Sequence, residues 1–123
     1  MIDSVLATLS ARAAENIKRF RGMSPSDLEV EVFQAIKDAC GEGSFFHEDE
    51  VRLVSGMRFP DILVGKSFGI EVKSTNKDHW TSTGSSIVET TRDKEVECIY
   101  LLFGKLGGDI PEFRCRPYQD VLS

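Results

Sequence analysis

Two apolar runs, Phe59 to Val64 and Phe68 to Val72, flank the short segment Gly65-Lys66-Ser67 in the stretch RFPDILVGKSFGIEVKST. Both are rich in β-branched and aromatic residues, so they read as buried strands, and a loop of this length containing Gly joins them as an antiparallel hairpin. The chain must therefore fold around a sheet that contains this hairpin. The same stretch carries charge, with Asp61 at the head of the first run and Glu71 and Lys73 at the end of the second. Ionised side chains are almost never fully buried unless paired or bound to metal, so these three need a partner that the apolar runs do not supply.

The hairpin itself says where the charges meet. With the loop at residues 65–67, Val64 sits opposite Phe68, and counting back sets Asp61 opposite Glu71. Directly opposed side chains on one face lie about 5 Å apart. Two carboxylates held so close repel unless they share a proton or a cation. A divalent metal resolves the conflict, and Mg²⁺ needs only one or two carboxylates, completing its octahedron with water and substrate phosphate. Glu71 and Lys73 are two apart on a strand and share that face, while Ile70 and Val72 point to the core. An ammonium beside the metal is suited to orient or help deprotonate a water, or to offset charge on a phosphate.

Around the hairpin, residues 3–20 repeat apolar positions at three and four (Val5, Leu6, Leu9, Ala13, Ile17, Phe20) and read as one amphipathic helix. A second helix starts at Ser24-Pro25 and runs to Cys40, with Gly41 as its stop. Leu28, Val32, Phe33, Ala35, Ile36, Ala39 and Cys40 form its apolar arc; Glu29 falls within the arc and Glu31 at its edge. Glu29 thus faces the sheet as a fourth acid, although its spacing from Ser26 also fits a capping box, a complete structural role. Short strands are expected at residues 44–46 and 50–54, a third helix beginning at Ser85 or Ser86, a buried strand over CIYLLFGKL and a further short strand around Phe113. The order helix, helix, strands with a hairpin, helix, strand implies an α/β or α+β fold with helices flanking a mixed central sheet.

At 123 residues the chain is read as a single domain, 1–123. No run is long and apolar enough to span a membrane, and the N-terminus lacks a signal-peptide pattern, so a cytoplasmic protein is expected. Cys40, Cys98 and Cys115 share no metal-site spacing and read as reduced thiols, the first two in the core. A net charge of −5 runs contrary to the basic footprint of nucleic-acid binding. The excess is local: residues 27–50 hold eight acids and one base, whereas residues 51–82 hold five bases and three acids. An acidic centre loaded with metal is partly neutralised, so total charge weighs little against such a substrate.

Pro60-Asp61, nine intervening residues and Glu71-Val72-Lys73 resemble the signature of the PD-(D/E)XK nuclease superfamily, in particular its restriction-endonuclease-like members. The similarity covers about residues 26–106, the helix before the hairpin and the helix and strand after it included. The resemblance implies a restriction-endonuclease-like sheet and a Mg²⁺-dependent endodeoxyribonuclease, with Mn²⁺ as a substitute. It implies Asp61 and Glu71 as metal ligands, Lys73 as the catalytic lysine and Glu29 as the helical acid at the metal and its water. Hydrolysis would proceed by in-line attack of water on phosphorus. Double-strand cleavage favours a homodimer, for which the apolar stripe of the first helix offers an interface. The ending PYQDVLS resembles a chain cut from a longer protein, so a sequence-recognition domain is expected outside it.

Further residues have two readings each. Ser85, Ser86 and Arg92 suit a phosphate at a helix start, or serve only as caps and a solvated charge. Trp80 and His79 suit contact with nucleotides, or a half-buried ring in a polar loop. His47 beside Glu48, Asp49 and Glu50 imitates a metal cluster but reads better as a solvated acidic turn. Two other functions compete: a catalytically inactive nucleic-acid- or protein-binding module on the same fold, and a glycosidase using the carboxylate pair. Mg²⁺ dependence separates both from a nuclease.

Overall fold

The computed structural model describes residues 2–40, 48–54, 60–65, 68–80 and 98–117. Three helices, α1 (Ile2–Glu15), α2 (Ile17–Arg21) and α3 (Pro25–Cys40), and a 3-10 turn at Glu48–Glu50 precede the strands β1 (Val51–Leu53), β2 (Ile62–Val64), β3 (Phe68–Thr75), β4 (Cys98–Lys105) and β5 (Glu112–Pro117). The fold is mixed α and β around one open five-stranded sheet whose spatial order, β1-β2-β3-β4-β5, is the order of the chain. All neighbours are antiparallel except β3 and β4. That parallel pair needs a crossover, for which residues 76–97 supply the chain. The helix expected from Ser85 or Ser86, the strand at 44–46 and the residues Ser86 and Arg92 lie outside the described residues.

The helix expected over residues 3–20 is two helices. Asn16 breaks it with φ −145°, and its side-chain oxygen accepts from Arg19 N as the N-cap of α2. Asn competes with the helical backbone for its own hydrogen bonds, so it ends one helix and starts the next more readily than it continues either. The apolar stripe survives the break: Val5, Leu9, Ala13 and Phe20 are fully buried. Because α1 lies against α3 and β5, that stripe is buried within the chain.

The cap of α3 also differs from the expectation. Ser24 Oγ accepts from Asp27 N at 3.1 Å, and Asp27 Oδ2 accepts in return from Ser24 N at 3.3 Å. This capping box leaves Pro25 at the first helical position and Ser26 and Glu29 outside it. From there α3 buries Leu28, Val32, Ala35, Ile36 and Cys40. The hairpin has its Val64–Phe68 pairing, but β2 begins only at Ile62 and β3 runs on to Thr75. Cys98 is exposed at the start of β4 and not in the core; Cys40 is buried, and burial pushes the Cys115 thiol up to about 11.

One close approach fixes helix to sheet. Gly104 on β4 sits under α3, and a Cβ there would lie 2.9 Å from Leu28 Cδ2 and 3.1 Å from the Phe113 ring. The absent side chain lets Leu28 reach the sheet surface, which brings the next residue, Glu29, to the sheet as well. At the far end of β3, Asn76 Nδ2 donates to Arg21 O at 2.7 Å and to Met23 O at 3.2 Å, tying the turn between α2 and α3 to the sheet.

Candidate active site

The central strand β3 carries two alternating sets of side chains. Ile70 and Val72, 1% and 5% exposed, join the core beneath the helices. Glu71, between them, points to the opposite face and is nevertheless only 6% exposed, the sole charged residue among the buried ones described. Lys73 follows on that face with its Nζ 3.6 Å from Glu71 Oε2. Glu71 Oε1 is buried and meets no hydrogen-bond partner. A carboxylate oxygen stripped of water and left without a donor is costly, so this atom is unsatisfied in the metal-free chain.

Asp61 reaches the same place from just outside β2. The pairing of Ile62 with Ile70, continued one step, sets Asp61 against Glu71 as the sequence implied. Its carbonyl accepts from Val54 N at 2.8 Å, which holds the backbone in line with β1. Its side chain does something the sequence did not foretell: Oδ2 accepts from Val72 N at 2.9 Å. β3 continues past the start of β2, and the Asp61 carboxylate takes the place of the strand carbonyl that this amide lacks. Asp61 is thus fixed in orientation by the sheet itself.

Glu29 arrives from the first turns of α3, half-buried and free of the helix cap. Its carboxyl is pushed up to about 7, by burial first, then by the neighbouring Asp61 charge and a hydrogen bond to the Asp61 side chain, with Lys73 opposing. Glu71 is pushed up to about 8, again by burial first and then by Asp61, with Lys73 opposing. Three carboxyl groups therefore share one neighbourhood, with Asp61 between the other two and Lys73 as the cation nearest them. Metal-free, this arrangement retains protons near neutral pH because like charges so close in a poorly solvated site disfavour ionisation.

The donor set is one of hard oxygens, and the orphaned Glu71 Oε1 beside Asp61 fits a divalent cation of the Mg²⁺ kind. Among the described residues no group of three or more His, Cys, Asp or Glu side chains is arranged to hold a metal ion. The fit therefore rests on the Asp61–Glu71 pair, which suffices for an ion that keeps water and takes phosphate. Glu29, expected as a further ligand, meets Asp61 in the metal-free chain.

The other expected residues scatter. Glu31 is engaged by Arg19 at 2.6 Å and by Arg12 at 4.0 Å, so it is not the helical acid of the site. Trp80 packs against Phe103, ring centroids 5.8 Å apart, and carries the Arg114 guanidinium 4.0 Å above its ring. His47, Ser85, Ser86 and Arg92 fall outside the described residues. Sequence reasoning missed Arg114 and Arg116; the alternation EFRCR over residues 112–116, with Phe113 buried, was the available signal for a strand with a basic face. Among the described residues no helix is long and apolar enough to cross a membrane. Comparison of the chain with protein-family models, with curated proteins and with solved structures finds no match.

Proposed function

We propose that the chain is a Mg²⁺-dependent endodeoxyribonuclease with a restriction-endonuclease-like fold, a member of the PD-(D/E)XK group. The observation that carries this reading is the buried, unpartnered Glu71 Oε1 beside Asp61, with Lys73 Nζ 3.6 Å from the other oxygen of the same carboxylate. Surface ion pairs do not bury an acid without a donor, because nothing then offsets the lost hydration. Asp61 and Glu71 would hold the metal. When bound, it supplies Lewis acidity to a phosphoryl oxygen and makes water more acidic. Lys73 orients the attacking water and offsets charge developing on the phosphate. Glu29, whose carboxyl lies near 7, holds or moves a proton beside Asp61 at neutral pH. Mn²⁺ would substitute for Mg²⁺, and a homodimer would deliver cuts to both strands of a duplex.

The test is incubation with supercoiled plasmid. Mg²⁺ should convert it to nicked or linear DNA; EDTA, or the Asp61→Ala substitution, should prevent this. A parent protein that leaves the plasmid supercoiled at every Mg²⁺ and Mn²⁺ concentration tried sinks the reading.

A further inference from the structure

On the face of the sheet that carries Glu71 and Lys73, the register extends the site sideways. Lys73 pairs with Phe103 and Phe103 with Arg114; Glu71 pairs with Leu101 and Leu101 with Arg116. Paired residues project to the same face, so Arg114 and Arg116 on the edge strand share the surface of the carboxylates, two strand spacings or about 10 Å away.

The chain holds Arg114 in a particular posture. Its guanidinium lies 4.0 Å above the Trp80 ring, and Trp80 is backed by Phe103. A guanidinium over a ring is held by its charge and the ring face, a contact that takes none of the N–H fork that matches a phosphate. The carboxylates nearby are already occupied: Lys105 Nζ lies 2.8 Å from Asp78 and 2.9 Å from Glu112. Among the described residues no carboxylate lies in ion-pair range of Arg114 or Arg116, whereas Arg12, Arg19, Lys73 and Lys105 each have at least one. The corner therefore presents two guanidinium groups without a carboxylate of their own on a chain of net charge −5. Beside it opens a hollow of about 430 Å³, lined by Trp80, Arg114, Ile110 and Pro111 among others. Ile110 is 51% exposed and gives that hollow an apolar wall.

We propose that Arg114, held over the Trp80 ring, is a phosphate-binding residue for a DNA strand that runs across the sheet from the Asp61–Glu71 site, with the adjoining sugar and base in the hollow by Ile110. This rests on the nuclease reading for the direction of the strand. At a rise of about 3.4 Å per nucleotide, the bound phosphate lies roughly three nucleotides from the one being cut. Trp80 is a positioning residue: its ring is taken up by Arg114 and Phe103, so it acts on DNA through the arginine.

Binding of a fluorescein-labelled duplex oligonucleotide in EDTA, followed by anisotropy over a range of salt, tests this without turnover. Arg114→Ala should weaken binding by about tenfold at low salt and reduce the slope of log K against log salt by about 0.9, the share of one phosphate contact. Arg114→Lys should keep the slope and lose affinity, since it retains charge without the fork. Trp80→Ala should weaken binding and Trp80→Phe should restore it. In plasmid cleavage Arg114→Ala should raise KM and leave kcat nearly unchanged. A salt slope unchanged in Arg114→Ala, or lowered equally by Lys37→Ala in the last turn of α3, overturns the proposal, as does a parent that binds no DNA. If the parent cleaves while Arg114→Ala matches it in slope and KM, the subsite fails and the nuclease stands. If the parent never cleaves but Arg114→Ala loses the slope increment, the subsite stands and the nuclease reading fails.

Discussion

At the scale of single residues, Asp61 and Lys73 have separable duties. Asp61 meets Glu71 and also accepts from Val72 N, so Asp61→Ala removes a proposed ligand and leaves a strand amide without its acceptor. It should abolish Mg²⁺ binding and cleavage and cost about 1–3 kcal/mol of stability. Among the described residues Lys73 makes only the 3.6 Å approach to Glu71, so Lys73→Ala should abolish cleavage while metal binding stays as it was or tightens, because a cation beside a divalent ion repels it. Calorimetric titration of both variants beside a plasmid assay decides: parent-like cleavage by Lys73→Ala, or parent-like metal binding by Asp61→Ala, would reduce the site to a structural ion cluster. Glu29→Gln keeps the shape and removes the proton-holding group; cleavage should fall at least about tenfold with little loss of stability, since the cap lies elsewhere. The Asp61–Glu71 opposition was legible because a hairpin loop of fixed length sets its own register and strand periodicity does the rest. The Val72 contact was not legible, because it depends on how far β2 falls short of Asp61, which no local pattern encodes.

Among the elements, the start of α3 shows how a pattern can be read one turn late. The segment SPSDLE offers two boxes, Ser24 to Asp27 and Ser26 to Glu29. Proline resolves the choice: its missing N–H and fixed φ suit the first helical position, which makes the residue before it the cap. Ser24→Ala should therefore cost about 1 kcal/mol, while Ser26→Ala, exposed and outside the cap, should change stability little. Chemical denaturation of the two variants measures the difference, and equal costs would show that the box is not at Ser24. The docking of α3 gives a stronger effect in the same assay. Gly104→Ala drives a methyl to 2.9 Å from Leu28 and against the Phe113 ring, and such overpacking costs about 1–3 kcal/mol. The lengths of β3 and β5 and the break at Asn16 escaped sequence reading for a common reason. Each is decided by a neighbour distant in the chain or by one polar side chain that leaves the apolar period intact.

For the molecule as a whole, the acids that make the site also set how stability responds to pH. Glu29 and Glu71 are both raised from 4.5, to about 7 and about 8, so between those values and 4.5 the folded chain holds protons that the unfolded chain has released. Stability rises with pH only where the unfolded state binds more protons; here the folded state does, so the metal-free chain loses stability as pH climbs from about 4.5 through about 8. Asp38 and Asp78 work in the other direction. Each is held below its ordinary value by a hydrogen bond from Arg12 or Lys105, giving stability that is lost only as pH falls below the usual aspartate range. Both are well exposed, so their effect is small and lies at the acid end. Thermal unfolding in EDTA from about pH 5 to about pH 9 should therefore show Tm declining across the neutral range, and Glu71→Gln should flatten the decline by removing its most buried charge. Added Mg²⁺ should raise Tm of the parent more at pH 8 than at pH 5.5, because burial beside Asp61 keeps Glu71 protonated at the lower pH and much less so at the higher, and an ion that binds the folded state stabilises it. The same ion should do nothing for Glu71→Gln. A parent whose Tm in EDTA is level or rising over this range would mean that Glu71 is not held protonated by burial beside Asp61. A Mg²⁺ effect equal at both pH values would mean that the ion binds somewhere other than this pair.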